Sequence, residues 1–422
     1  MKNRPTLLAA LLAAGAPPAT AQDSCDALGQ TSFVRDVLHE IYLWYRELPP
    51  LDPALFDTPE AYLEAVRYRP LDASFSYVAD RAASDAFFSD SQFIGFGFSS
   101  QISGPGEARI AAVFPDSPAE EAGLRRGDRL LAVGERPVSE LVAEGTLFGS
   151  FGPNEIGYEL RLAWTSDGET VREAVLAKRL VTIPTVSLTR VFELDGRRVG
   201  YLHFRNFVRP STQALDAAFE ALRDAGADEL VLDLRYNGGG LVSVAQHLAG
   251  LVGGTPTFAQ VFGRYEHNDR NRIRDSTLRF PRPDATLELR RVVVITTRAS
   301  ASASELVING LRPWLAVTVV GTPTFGKPVG QYGFNFCDKV LFPVSFRIVN
   351  ADGEAEFFGG IPADCAADDD LDHALGDPAE ASLAEALHYL RHGSCRVPGS
   401  VAASARGPRR DTDGWRLLLG AH

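Results

Sequence analysis

RVVVITTRASASASELVINGLRPWLAVTVVG, residues 291–321, is the stretch from which the fold can be read. Arg291 to Thr297 is a short apolar run rich in β-branched residues, the composition of a strand covered on both faces. Ala303 to Leu311 follows as a helix, and Val317 to Gly321 as a second apolar strand. Strand, helix and strand in that order form a βαβ unit of a parallel sheet. The turn Arg298-Ala299-Ser300-Ala301-Ser302 therefore lies at the carboxyl end of a strand, where α/β sheets place their ligands. It also opens a helix, whose first amides point at any anion formed there. Serine is a common helix cap, so this segment alone gives a position and not a chemistry.

The same alternation extends in both directions. Val199 to Phe204 and Glu229 to Leu234 read as strands, Ser211 to Ala225 and Val242 to Leu251 as helices. Residues 186–395 are thus expected to be an α/β core of βαβ units. Within them, residues 253–288 are a long polar connection rich in arginine and aspartate, expected to be a lid or surface insertion. Residues 91–185 change character: Ala108 to Phe114, Arg129 to Val133 and Tyr158 to Trp164 are strand-like and separated by glycine and proline turns. A short helix lies among them, capped by Ser117, opened by Pro118 and closed by Gly123. Residues 22–90 read as a helical region: Phe33, Val37, Ile41 and Trp44 recur at helical spacing, and Thr58-Pro59 starts a second helix.

Both ends are distinctive. Lys2 and Arg4, the apolar run Leu7 to Ala16, and Ala19-Thr20-Ala21 make residues 1–21 a secretory signal peptide. No other segment is long and apolar enough to be a membrane helix. Export to a periplasm or the exterior is the expectation. Residues 396–422 are rich in Ala, Gly, Ser and Arg and are expected to be a disordered tail. At 422 residues the chain needs two or three domains. A net charge of −12 with no basic run excludes a nucleic-acid footprint. Cys25, Cys337, Cys365 and Cys395 all follow the signal peptide, which favours disulfides over free thiols. Their spacing is not that of a zinc site. Of the three possible pairings, Cys337–Cys365 with Cys25–Cys395 is preferred: the first staples neighbouring C-terminal segments, the second ties the mature N-terminus to the end of the folded region.

Two further turns bear on chemistry. Gly321-Thr322-Pro323-Thr324-Phe325-Gly326-Lys327 follows the second strand of the opening unit and ends in a lysine. The chain uses arginine almost throughout; its lysines are Lys2, Lys178, Lys327 and Lys339. Arginine cannot give up its proton and a desolvated lysine can, so a lysine retained in a glycine turn suits a general base. Asn237-Gly238-Gly239-Gly240 follows an apolar strand, and glycine there lets a backbone amide approach a ligand.

Asp233-Leu234-Arg235-Tyr236-Asn237-Gly238-Gly239-Gly240, Ser300-Ala301-Ser302-Ala303-Ser304-Glu305 and the turn ending in Lys327 together resemble the C-terminal processing peptidases, or tail-specific proteases. The resemblance implies a serine endopeptidase with Ser302 as nucleophile, Lys327 as general base and Gln331 orienting the lysine. It implies oxyanion donors at Ala303 and at a glycine of the triplet, taken as Gly239 with Gly238 as the alternative. Gly238 stands where the family usually has proline, and Pro328 where it usually has glycine. Residues 94–180 are similar to a bacterial PDZ domain, and Gly95-Phe96-Gly97-Phe98 resembles the loop that receives a peptide carboxylate. Such a module would recognise substrate C-termini or gate the site. The implied partners are protein or peptide substrates held by their C-termini, with an adaptor or a second copy of the chain left open. No metal or other cofactor is called for. Rival readings carry less: there is no Gly-x-Ser-x-Gly elbow and no Ser-x-x-Lys motif, and His203 and His247 sit in no motif and read as structural. The alternative kept is a non-catalytic PDZ-containing peptide-binding protein that retains the peptidase fold.

Overall fold

Apolar runs alternate faces once they pair. In the central sheet Leu230, Leu232, Val292 and Val294 pack with Phe219, Leu248 and Val307 on one side, while Val231, Val293 and Ile295 meet Leu383 and Leu390 on the other. Both sides being covered is why these strands read as continuous hydrophobic runs. The computed structural model describes residues 24–396; the signal-peptide expectation, and the tail expectation beyond Arg396, lie outside the described residues.

The sheet has six strands in the order Val186–Leu194, Arg197–Phe204, Glu229–Asp233, Arg291–Thr296, Ala316–Gly321 and Cys365–Ala366. The first pair is antiparallel and the rest parallel. Helices Ser211–Asp224, Val242–Thr257 and Ala303–Leu311 cover one face and Ala381–His392 the other. Every residue of Ala303–Leu311 is buried, as its all-round apolar sequence demands. The loops after Asp233, Thr296 and Gly321 leave the same end of three adjacent parallel strands, which brings the three turns singled out above to one edge.

Two expectations change, and a third gains a detail. Residues 253–288 are not a surface insertion. The preceding helix breaks at Gly254, at φ +58, and a further turn ends at Thr257; Val261–His267 then becomes an inner strand of a second sheet, ordered Thr277–Arg279, Val261–His267, Val344–Val349, Val329–Gln331. Its few aromatics do the anchoring: Phe262 and Phe280 are buried with ring centroids 5.3 Å apart. The N-terminal region is helical as expected, with one strand added. Helices Ala27–Ile41 and Pro59–Val66 form, but Tyr77–Asp80 is a strand antiparallel to Lys339–Phe342, so the region is sewn to the core. The disulfides join Cys25 to Cys337 and Cys365 to Cys395, not the preferred pairs. The reason is packing. Cys337 lies in the turn between Phe334–Phe336 and Lys339–Phe342, and Phe336 stacks on Phe33 of the first helix at 4.8 Å, so the thiol at that helix's start is its neighbour. Cys365 sits on the edge strand beside the last helix, which ends next to Cys395.

The mostly-β module is a sheet of Phe98–Gly104, Glu107–Val113, Arg129–Val133, Glu159–Thr165 and Arg172–Ala177 closed over Ile110, Leu130, Leu162 and Trp164. Gln92–Gly95 pairs with Arg179–Thr182, so the chain enters and leaves the module side by side.

Candidate active site

Ser302 sits immediately before helix Ala303–Leu311 with φ +55 and ψ −110, a conformation that costs a non-glycine residue about 1–3 kcal/mol. Of Ser300, Ser302 and Ser304, two are tied down. Ser300 Oγ donates to the Leu234 carbonyl at 2.8 Å and Ser304 Oγ to the Asn237 carbonyl at 3.0 Å. Ser302 lines a cavity of 1360 Å³ at the seam between core and module.

One carboxylate holds the serine and lysine turns together. Glu305 is fully buried. Its Oε2 accepts the Ser302 amide at 2.8 Å and the Lys327 amide at 2.9 Å; its Oε1 accepts Thr324 Oγ1 and the Gly326 amide, both at 2.6 Å. Burial raises the Glu305 carboxyl above its ordinary range even though all four donors pull it down. The sequence reading gave Glu305 no role. The signal was present in Ser302-Ala303-Ser304-Glu305, a capping-box spacing in which the acid returns to the first residue's amide.

Lys327 is 6% exposed and lines the same cavity. Its Nζ donates to Gln331 Oε1 and lies 6.0 Å from the Phe75 ring centroid. Gln331 Nε2 donates to the carbonyls of Phe75 at 2.6 Å and Phe342 at 2.7 Å, so the amide can present only its oxygen to the lysine. The other two described lysines are committed elsewhere. Lys339 pairs with Glu60. Lys178 donates to the Gly152 and Pro153 carbonyls at 2.9 and 2.8 Å, and burial lowers it to about 8.

The glycine turn abuts the serine. A Cβ on Gly239, at φ +97, would lie 2.8 Å from the Ala301 carbonyl oxygen, the Ala303 amide nitrogen and Ser302 Cβ, so only glycine fits. Asn237 braces this turn: its Nδ2 donates to the Phe204 carbonyl at 2.9 Å and its own carbonyl accepts the Ala301 amide at 3.0 Å. Its Oδ1 accepts the Gly239 amide at 2.9 Å, so that donor is engaged within the loop. Beneath the turn Arg235 is fully buried and joins Asp233 and Glu380, each at 2.7 Å. Burial pushes Asp233 up, but Arg235, His203 and the Tyr201 hydroxyl outweigh it and hold the carboxyl down at about 2.

On the module side, Gly95, Phe96 and Phe98 line the cavity. Gly97 has φ +87 and packs so closely on Ser117 that a Cβ would sit 2.0 Å from the serine's. None of the described histidines lines this cavity. His203, which burial lowers to about 4, meets Ser187 instead, and His247 meets Asp216 at 2.7 Å.

Known proteins share this organisation. Residues 198–367 match peptidase family S41, residues 29–77 the peptidase S41 N-terminal domain and residues 109–143 the PDZ domain. A carboxyl-terminal-processing protease of Synechocystis is 28% identical over 232 residues, 55% of this chain and 52% of that one. A tail-specific protease of Haemophilus influenzae is 27% identical over 286 residues, 65% of this chain and 39% of that one. The chain thus spans about half or less of the length of these relatives. Among solved structures, one assigned to the S41 proteases, from Bacteroides fragilis, is 26% identical with a TM-score of 0.68, over 85% of this chain and 96% of that one. The photosystem II D1 C-terminal processing protease shares the fold at 19% identity and a TM-score of 0.52, over 88% of this chain and 99% of that one.

Proposed function

We propose that this chain, which belongs to peptidase family S41, is a serine endopeptidase that hydrolyses peptide bonds in exported proteins with a Ser302–Lys327 dyad. The observation that carries this reading is the pairing of the two turns through Glu305, which sets a serine and a buried lysine on one cavity. In the mechanism, neutral Lys327 takes the Ser302 proton as Oγ attacks the scissile carbonyl. The resulting oxyanion is received by the Ala303 amide and by an amide of the glycine turn. Gly239 serves once its amide leaves Asn237 Oδ1; otherwise its neighbour Gly238 does. Lys327, now an ammonium, protonates the leaving amine and then deprotonates the water that hydrolyses the acyl-enzyme. Gln331 holds the lysine in line throughout.

The PDZ domain supplies the choice of substrate. Gly95-Phe96-Gly97-Phe98 holds the C-terminus of an unstructured polypeptide by β-augmentation, and the shared cavity leads that segment to Ser302. Export follows from residues 1–21 and accords with the two disulfides; no described helix is long and apolar enough to cross a membrane. The test is cleavage of an unstructured protein with a free C-terminus by wild type, Ser302→Ala and Lys327→Ala, with mass spectrometry of the products. Both variants should lose at least roughly a thousandfold in rate. Normal cutting by Lys327→Ala would mean another base; no cutting by wild type on any C-terminus would leave a peptide-binding protein.

A further inference from the structure

Arg205 follows strand Arg197–Phe204 and enters the seam between PDZ domain and core, where it lines the same cavity as Ser302, Gly239, Gly95 and Phe96. It is 9% exposed. Its guanidinium makes no hydrogen bond and no ion pair with any described residue; Nε and Nη1 are buried without a partner. Its carbon lies 5.5 Å from the Phe114 ring centroid, on the PDZ side, and 5.3 Å from that of Tyr236, which leads the glycine turn. The neighbouring arginines differ. Arg235 is neutralised by Asp233 and Glu380, and Arg126 by Asp369. Asp233 attracts Arg205 at a distance, but no described acid makes a hydrogen bond or ion pair with it. Burial lowers it only to about 10, so it is a cation at neutral pH. An unpaired buried cation is a standing cost to the fold. Near two aromatic rings and hydrogen-bonded to no described residue, the guanidinium has N–H groups left for an acceptor, and the planar acceptor it matches is a carboxylate.

We propose that Arg205 is a specificity-determining residue of the cleft, which takes a carboxylate of the bound polypeptide between the PDZ loop and Ser302. This rests on the reading that the cavity holds a peptide substrate. Two sources share the chemistry: the C-terminal α-carboxylate and an Asp or Glu side chain.

The test uses one unstructured fluorescent peptide in three forms: C-terminally amidated without acidic residues; the same with a free C-terminus; and amidated with a single Glu scanned along it. Binding is measured by anisotropy on the full chain carrying Ser302→Ala, alone and with Arg205→Gln, Arg205→Lys, or Gly97→Ala as a PDZ-loop control. Cleavage is measured with Ser302 intact. A carboxylate form should bind roughly tenfold tighter than the neutral peptide. Arg205→Gln should erase that preference without weakening the neutral peptide, and Arg205→Lys should keep part of it. Loss confined to the free C-terminus names the α-carboxylate; loss confined to the scanned Glu names a side chain. The proposal falls if Arg205→Gln weakens all three forms equally, if it changes none, if every preference is lost through Gly97→Ala alone, or if nothing binds. If Arg205→Gln does not fold, as judged by its melting temperature, a preference undiminished in Arg205→Lys also overturns it. Carboxylate-selective binding without any cleavage would sink the peptidase reading and leave this one standing; cleavage indifferent to Arg205 would do the reverse.

Discussion

Two buried charged groups stand at one cavity, Arg205 lining it and Glu305 behind the Ser302 and Lys327 that line it, and they are treated in opposite ways. Behind the core wall, Glu305 accepts four hydrogen bonds from Ser302, Thr324, Gly326 and Lys327. At the seam, the Arg205 guanidinium has no hydrogen-bond or ion-pair partner among the described residues. A saturated charge fixes geometry, because each donor it holds would be left unpaired if the loop moved. An unsaturated one fixes nothing and lowers stability until something arrives to pair with it. The contrast divides the cavity into a wall built to hold still and a wall built to receive.

The largest expected effect lies on the still wall. Glu305→Ala leaves four donors without their acceptor, and unfolding free energy should fall by about 3–5 kcal/mol, at roughly 1–3 kcal/mol for each donor that water does not reach. Glu305→Gln is the sharper variant, since its amide group must face one of the N–H donors. Its kcat should fall roughly 10–100-fold with KM little changed, because the loss is of alignment between Ser302 and Lys327 and not of substrate contacts. Steady-state kinetics with thermal melts decides it: an unchanged kcat would show that the two turns hold their places without the carboxylate.

A second saturated group tests the same rule through pH. Asp233 is held at about 2, against roughly 3.9 for a free aspartate, so its ionised form is stabilised by folding. The contribution, about 2–3 kcal/mol, is fully present above about pH 4 and is lost as pH falls toward 2. Acid unfolding of wild type should steepen across that window, and Asp233→Asn should lose the steepening. Urea titrations at fixed pH values measure it; an identical acid limb in both proteins would break the rule.

How far the contrast was legible in sequence follows from the range of the interactions involved. The strands around residues 291–321 and helix Ala303–Leu311 are visible because burial on both faces writes itself as unbroken apolar runs. The turns bearing Ser302, Lys327 and Gly239 stand out as unusual residue types at strand ends, and the fold brings them to one cavity. Glu305 was within reach, since its bond to Ser302 spans three residues. The strand Val261–His267 was hidden by the polar residues around it: only Phe262 and Tyr265 give it an apolar anchor, and one of its two neighbours in the sheet is Val344–Val349, far along the chain. The Cys25–Cys337 pair was hidden for the same reason, being set by how Phe336 meets Phe33. Arg205 was the least legible. It is one arginine among many, and its character lies in the absence of a direct bond to any described acid.

The smallest effect is the most discriminating. If Arg205 lacks a partner until substrate binds, replacing it with an apolar side chain of similar length should not harm the free protein. The two rings return about 0.5–2 kcal/mol each through cation–π attraction, against a desolvation cost of several kcal/mol for a buried ion. Arg205→Met should therefore melt at or above wild type, by about 1–3 °C if the surplus is near 1 kcal/mol. The pH dependence separates this from any general loosening. A group lowered from 12.5 to about 10 is charged in both folded and unfolded chains below about pH 10, so its penalty is constant there and is relieved only as pH rises past that point. The difference in melting temperature between Arg205→Met and wild type should accordingly be flat from about pH 5 to 9. Adding a carboxylate-bearing peptide on a Ser302→Ala background should reverse its sign, because only the arginine protein gains by binding it. A variant that melts well below wild type without peptide would show that Arg205 already has its stabilising partners, and the two walls would then be alike.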